Sequence, residues 1–225
     1  MATLNASQGF IIQGDQGDTG QSPEDRGDNA GASVSSAGDV NGDGFDDLIV
    51  GAPWGDDGGS YAGEAYVVFG SGTGFGTLDP ATGRQVIDLA TLAPSQGFII
   101  QGDDGGEREP QFGFPGELTG LSVSSAGDIN GDGFDDMIVG APFGDIYDRP
   151  KFDVDNDGDL DGFYAGVTYV VFGSGTGFGA LDPTTGRQVL DMATLEANQG
   201  FILIGDPTGA GSAGAGIGGR AGRSV

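Results

Sequence analysis

The segment GDVNGDGFDDLIVGAP, Gly38 to Pro53, returns almost unchanged as GDINGDGFDDMIVGAP, Gly127 to Pro142. A chain that repeats a segment this long folds it the same way twice, so its architecture follows from one unit and from how the copies pack. The repetition extends well beyond the segment. SQGFIIQGD at Ser7 recurs at Ser95 and again, as NQGFILIGD, at Asn198. SVSSAGD at Ser33 recurs at Ser122, and YVVFGSGTGFG at Tyr66 recurs at Tyr169. Copies are spaced from 88 residues (Ser7 to Ser95) to 103 residues (Tyr66 to Tyr169), and the longer unit carries an insertion, DIYDRPKFDVDNDGDLDGF, Asp145 to Phe163.

Each unit holds short runs rich in Val, Ile, Phe and Tyr: Ser33–Ala37, Asp47–Pro53, Glu64–Gly70 and Gly97–Gly102. Their bounding Gly, Pro and Asp residues mark turns, so each run reads as a strand and each unit as about four strands. Leu48-Ile49-Val50 and Tyr66-Val67-Val68-Phe69 are apolar at consecutive positions, which suits sheets covered on both faces. Asp79 to Ser95 reads as a long connection with one short helical turn at Ile87–Leu92. The 48 glycines follow no triplet period and sit between the apolar runs, which excludes collagen and favours an all-β protein rich in turns.

Charge and missing residue types exclude several functions. Thirty-four acidic against eight basic residues, a net charge of -26, leave too few Lys and Arg to hold phosphates. Nucleic acid and anionic membranes are therefore excluded as partners, and cations are favoured. With no cysteine and no histidine, disulfides, thiol chemistry, zinc-thiolate sites and imidazole bases are absent. No apolar run approaches the ~20 residues a membrane helix needs, so membrane insertion is not expected.

The order SV.S.AGD.NGDG..D.IVGAP, then YVVFG, then GF.I.GD, resembles the FG-GAP repeat of integrin α-subunit β-propellers and of secreted or surface bacterial proteins. The resemblance covers Gly31–Asp103 and Gly120–Asp206. It implies β-propeller-type four-stranded blades, calcium in the acidic loop between the first two strands of each, and an extracellular location, secreted or at the cell surface. The organisation expected is a partial repeat over 1–30, a first repeat over 31–103 and a linker over 104–119. A second repeat over 120–206 follows, with the insertion at 145–163, and then a Gly-rich linker and the start of a next repeat over 207–225. Integrin-type propellers have seven blades, whereas two complete units are present here. Met1-Ala2-Thr3-Leu4 aligns with Met192-Ala193-Thr194-Leu195, and Ala221–Val225 with Ala30–Val34, so the chain reads as a window on a longer tandem array.

The spacing within the loops specifies a ligand set. In DVNGDGFDD, positions 1, 3, 5 and 9 are Asp39, Asn41, Asp43 and Asp47, and position 7 offers the Phe45 carbonyl. The second loop supplies Asp128, Asn130, Asp132, the Phe134 carbonyl and Asp136. Hard oxygens at alternate positions of a tight loop, with Gly at position 6, suit Ca2+. Neither loop is an EF-hand, because Val50 and Val139 stand where a bidentate Glu is required. Asp46 and Asp135, at position 8, are expected to point away. The insertion repeats the spacing with Asp153, Asp155, Asp157, Asp159 and Asp161, which raises the expectation from two ions per chain to three.

Weaker signals read as bland. Arg26-Gly27-Asp28 is a tripeptide that arises easily by chance in a chain rich in Gly and Asp, and GSGTGFG lacks the spacing and lysine of a phosphate loop. Asn5-Ala6-Ser7 is a sequon by pattern only, and Trp54 and Phe143 read as blade packing. The expected function is a non-enzymatic, calcium-binding structural or adhesion repeat in a surface or filamentous assembly. The alternative is an accessory propeller of a secreted, phospholipase-like hydrolase. Apolar blade faces, at residues equivalent to Val50, Val68 and Phe69, are expected to be exposed at the ends. They point to head-to-tail self-association or contact with neighbouring repeats of the same polypeptide.

Overall fold

The computed structural model describes residues 7–15, 17, 27–59, 61–103, 116–144, 166–205 and 221–225. Among them there is no α-helix, and so none long and apolar enough to cross a membrane. The first repeat contributes β2 (Ser33–Gly38), β3 (Asp47–Ala52), β4 (Glu64–Val68) and β7 (Gly97–Gln101), and these form one antiparallel blade in the order β2-β3-β4-β7. The second contributes β8 (Ser122–Gly127), β9 (Asp136–Ala141), β10 (Val167–Val171) and β13 (Gly200–Ile204), with the same order and sense. The fold is therefore all-β, built from four-stranded, propeller-type blades.

β4 and β10 are buried along their whole length because each lies mid-blade between two neighbours. Their alternate residues feed two cores, as strand periodicity requires. Ala65 and Val67 join Ile49, Phe98 and Ile100 on the face turned to the second blade, where they meet Val139, Val167, Tyr169 and Val171. Tyr66 and Val68 face the other way, with Val50, Ile87, Leu89, Leu92 and Ile99.

The connections are more ordered than their sequence suggests. The stretch expected to be a long loop with a helical turn holds β6 (Gln85–Asp88), which forms a hairpin with β5 (Thr77–Leu78) just ahead of it, and then a single 3-10 turn at Leu89–Thr91. The second repeat matches it with β11 (Ala180–Leu181), β12 (Gln188–Asp191) and a 3-10 turn at Met192–Thr194. Asp88 and Asp191 cap the two turns by accepting from Ala90 N and Ala193 N.

Each hairpin leaves its own blade and pairs in parallel with the fourth strand of the preceding unit. β12 lies on β7, with Val189 opposite Ile99 and Leu190 opposite Ile100. β6 lies on β1 (Phe10–Gln13), the fourth-type strand near the start of the chain. At the first blade this overturns the expected exposure of the blade end. Val50 and Val68 are buried beneath β1, β6 and the turn after it, and the matching Val139 and Val171 are buried too. Among the described residues, β13 is the fourth-type strand that keeps exposed apolar side chains, at Phe201, Leu203 and Ile204.

Blades are coupled at their inner strands. Ser33 Oγ donates to the Gly120 carbonyl at 2.8 Å, and Ser122 Oγ donates to the Gly222 carbonyl at 2.7 Å. Residues 221–225 thus take the place against the second blade that residues around Gly120 take against the first.

Candidate functional site

Both acidic loops begin at a β-bulge. The β2–β3 register shifts between Ser36 and Gly38, and the β8–β9 register between Ser125 and Gly127. Gly38 and Gly127 have φ of 76° and 65°, a left-handed conformation that a side chain resists, and they turn the chain out of the strand into the loop.

The loops then fold back on their own oxygens. Asp39 Oδ1 accepts from Asp43 N at 3.0 Å and Oδ2 from Gly44 N at 3.0 Å. Asn41 Oδ1 accepts from Asp43 N at 2.9 Å, Asn41 Nδ2 donates to Asp43 Oδ2 at 3.0 Å, and Asp43 Oδ1 accepts from Phe45 N at 2.9 Å. Asp128, Asn130 and Asp132 repeat the set: Asp132 N donates to Asp128 Oδ1 and Asn130 Oδ1, Gly133 N to Asp128 Oδ2, and Phe134 N to Asp132 Oδ1. Three of the expected oxygen donors in each loop are therefore drawn to one short stretch of backbone. The rings of Phe45 and Phe134 lie against Gly72 and Gly175 in the following turns.

Asp47 and Asp136 do something else. Each is fully buried, and each clamps the loop to the hairpin behind it. Asp47 accepts from Val40 N at 3.0 Å and Gly70 N at 2.7 Å, and Asp136 from Ile129 N at 2.9 Å and Gly173 N at 2.9 Å. Burial pushes the Asp47 carboxyl up to about 6 against the lowering effect of those two N–H groups. Asp46 is exposed, whereas Asp135 reaches the neighbouring loop and accepts from Asp39 N at 2.9 Å, which joins the two loops.

The donor chemistry, hard carboxylate and amide oxygens, fits a calcium-type cation. Among the described residues, however, no three carboxylates converge closely enough to form a metal cluster. Asp153, Asp155, Asp157, Asp159 and Asp161 of the insertion lie outside the described residues.

A second group of acids, which sequence reasoning missed, is buried at the other end of the first blade. Glu64 is 1% exposed, accepts from Tyr66 Oη at 2.6 Å and from Asp57 N at 3.0 Å, and is pushed up to about 8 chiefly by burial. Arg187, just before β12, pairs with Asp15 and Asp57. Burial opposes its charge, but Asp57 and Asp15 outweigh burial and raise its pKa. Asp28 is only 3% exposed, so the Arg-Gly-Asp match does not present its acid at the surface. Glu117 stands at the equivalent repeat position and accepts from Tyr169 Oη at 3.1 Å. The shared acid before Asn-Ala-Gly and Leu-Thr-Gly, and the shared Gly-Arg-Gln-Val, were the signals available in the sequence.

Residues 30–68 and 119–151 match the family described as FG-GAP repeat. The chain is 32% identical over 111 residues to integrin alpha-5 of Xenopus laevis and 34% identical over 112 residues to integrin alpha-PS5 of Drosophila melanogaster. It is 34% identical over 119 residues to integrin alpha pat-2 of Caenorhabditis elegans. These alignments cover 49–50% of this chain but only 8–9% of each relative. The repeated acidic loop, its flanking blade strands and these matches agree: the repeated unit of this chain is an FG-GAP repeat of the integrin α type.

Proposed function

We propose that this chain is a calcium-stabilised, extracellular structural or adhesion repeat protein and that its role is binding and architecture, not catalysis. The observation that supports this most is the twofold occurrence of one loop geometry, in which an Asp, an Asn and a second Asp turn their side-chain oxygens over the same short backbone. Asp39, Asn41, Asp43 and the Phe45 carbonyl would hold one ion, and Asp128, Asn130, Asp132 and the Phe134 carbonyl another. Asp47 and Asp136 would complete each set while closing the loop from behind. A cation there offsets the mutual repulsion of carboxylates in a chain of net charge -26, so it belongs to the stability of the fold. Asp153 to Asp161 supply a third site of the same spacing. The similarity to integrin α chains supports a role in adhesion or surface assembly, in which neighbouring repeats or further copies would be the partners.

Calorimetric unfolding with excess chelator and with millimolar calcium tests the reading. A melting temperature that falls on chelation and returns with calcium is expected, and identical unfolding under both conditions rejects it. Titration calorimetry is expected to give three ions per chain; two would remove the insertion from the proposal.

A further inference from the structure

The three fourth-type strands have closely similar sequences but different surroundings. β1 reads Phe-Ile-Ile-Gln, β7 Phe-Ile-Ile-Gln and β13 Phe-Ile-Leu-Ile. β1 and β7 each carry a parallel strand from the connection of the following unit, β6 and β12. The leading phenylalanine is also sandwiched in both cases by the phenylalanine of the following Gly-Thr-Gly-Phe-Gly turn. Phe10 stacks on Phe75 with centroids 4.2 Å apart and rings 15° from parallel, and Phe98 stacks on Phe178 at 4.0 Å and 6°. Among the described residues β13 has neither partner. It is the end strand of its sheet, and Phe201 and Leu203 are 41% and 50% exposed where Phe98 and Ile100 are 1% and 0%. An apolar edge strand of this kind is a template for strand addition.

We propose that the outer edge of β13 is a docking site for the Gly-Thr-Gly-Phe-Gly…Gly-Arg-Gln-Val-(Ile/Leu)-Asp hairpin of a further FG-GAP repeat, added in parallel. The register follows from the two interfaces already formed: the hairpin's Val opposite Ile202, its Ile or Leu opposite Leu203, and its turn phenylalanine stacked on Phe201. The occupant is a following repeat and not a second copy of this chain, for two reasons. Both hairpins present here are already engaged, by β1 and β7. In addition, Ser122 already holds the Gly222 carbonyl in the way that Ser33 holds that of Gly120, which starts the next unit on the correct side. The inference rests on the blade architecture of the repeats and is independent of calcium, so the two can fail separately.

The test uses the full chain and a synthetic peptide of residues 174–195, read by amide hydrogen exchange at β13. Saturable binding that protects β13 is expected, weakened about tenfold when the peptide carries Phe178→Ala and lost on a chain carrying Leu203→Lys. A second arm extends the chain after Val225 with residues 35–103 and pairs Leu203→Cys with Ile87→Cys in the added copy. The native chain has no cysteine, so any disulfide reports that pair alone. Rapid oxidation of this pair, and not of a control with Gln85→Cys, supports the register even if the free peptide does not bind. If neither the peptide nor the in-register pair engages β13, or if both cysteine pairs oxidise alike, the proposal is overturned. It is equally overturned if the β13 amides that point away from β10 are already protected in the unextended chain, as a monomer or a dimer.

Discussion

Glu64 illustrates how far burial alone carries a residue in this fold. Its carboxyl, pushed to about 8 by desolvation and further by Asp57 and Asp28, lies well above its ordinary 4.5, although the hydrogen bond from Tyr66 works the other way. The folded chain then keeps a proton that the unfolded chain has released. The stabilising contribution is complete below about 4.5 and is lost as pH rises through about 8. We expect the melting temperature to fall between pH 5 and pH 8 and the Glu64→Gln variant to show a flatter profile over that window, by up to ~1.4 kcal/mol per pH unit. An unchanged slope in the variant would show that Glu64 is ionised in the folded chain. In the acidic loops, Asp43→Ala removes an oxygen that accepts from Phe45 N, whereas Asp46→Ala removes an exposed carboxylate. The first is expected to weaken calcium binding in a titration by at least about tenfold, the second by less than about twofold.

At the scale of strands and turns, the blades depend on close approach. Gly51 on β3 leaves room for the Gly120 carbonyl, which a Cβ at position 51 would overlap, and Gly140 does the same for the Gly222 carbonyl. Because both sides of the contact are backbone, the strain has nowhere to relax. Gly51→Ala is therefore expected to cost ~1–3 kcal/mol, read by denaturant unfolding. Ser33→Ala, which loses one inter-blade hydrogen bond, is expected to cost ~1 kcal/mol. Equal losses in the two variants would mean that the hydrogen bond, not the steric fit, sets the blade spacing. The hairpins make a different contribution. By crossing to the preceding unit, β6 and β12 cover a fourth strand that would otherwise be an open edge, and they carry Phe75 and Phe178 into aromatic stacks.

For the molecule as a whole, coupling between successive repeats is the dominant theme. The loops meet where Asp135 accepts from Asp39 N, the inner strands meet through Ser33 and Gly120, and the outer edges meet through β7 and β12. Each unit therefore completes its predecessor, as repeat proteins with nearest-neighbour stability do. Calcium at one loop is expected to stiffen the next through the Asp135 contact. In the Asp43→Ala variant, hydrogen exchange across residues 128–136 should rise as well as across 39–47, and a change confined to 39–47 would mean that the loops act alone.

The amino-acid sequence by itself determined the period, the eight blade strands and the position of both acidic loops. Short runs of β-branched and aromatic residues, Gly-Asp turn chemistry and near-exact self-similarity are local properties that no distant partner can alter. It did not reveal β5, β6, β11 or β12, because Gln-Val-Ile-Asp and Gln-Val-Leu-Asp are too short to declare a strand until a parallel neighbour accepts their hydrogen bonds. Nor could it show that Asp47 and Asp136 face inward to backbone N–H groups while Asp39, Asn41 and Asp43 share one turn, since equal spacing does not reveal burial. The pairing of Arg187 with Asp15 and Asp57 joins residues from different repeats. Only the stacking of one unit on the next brings them together.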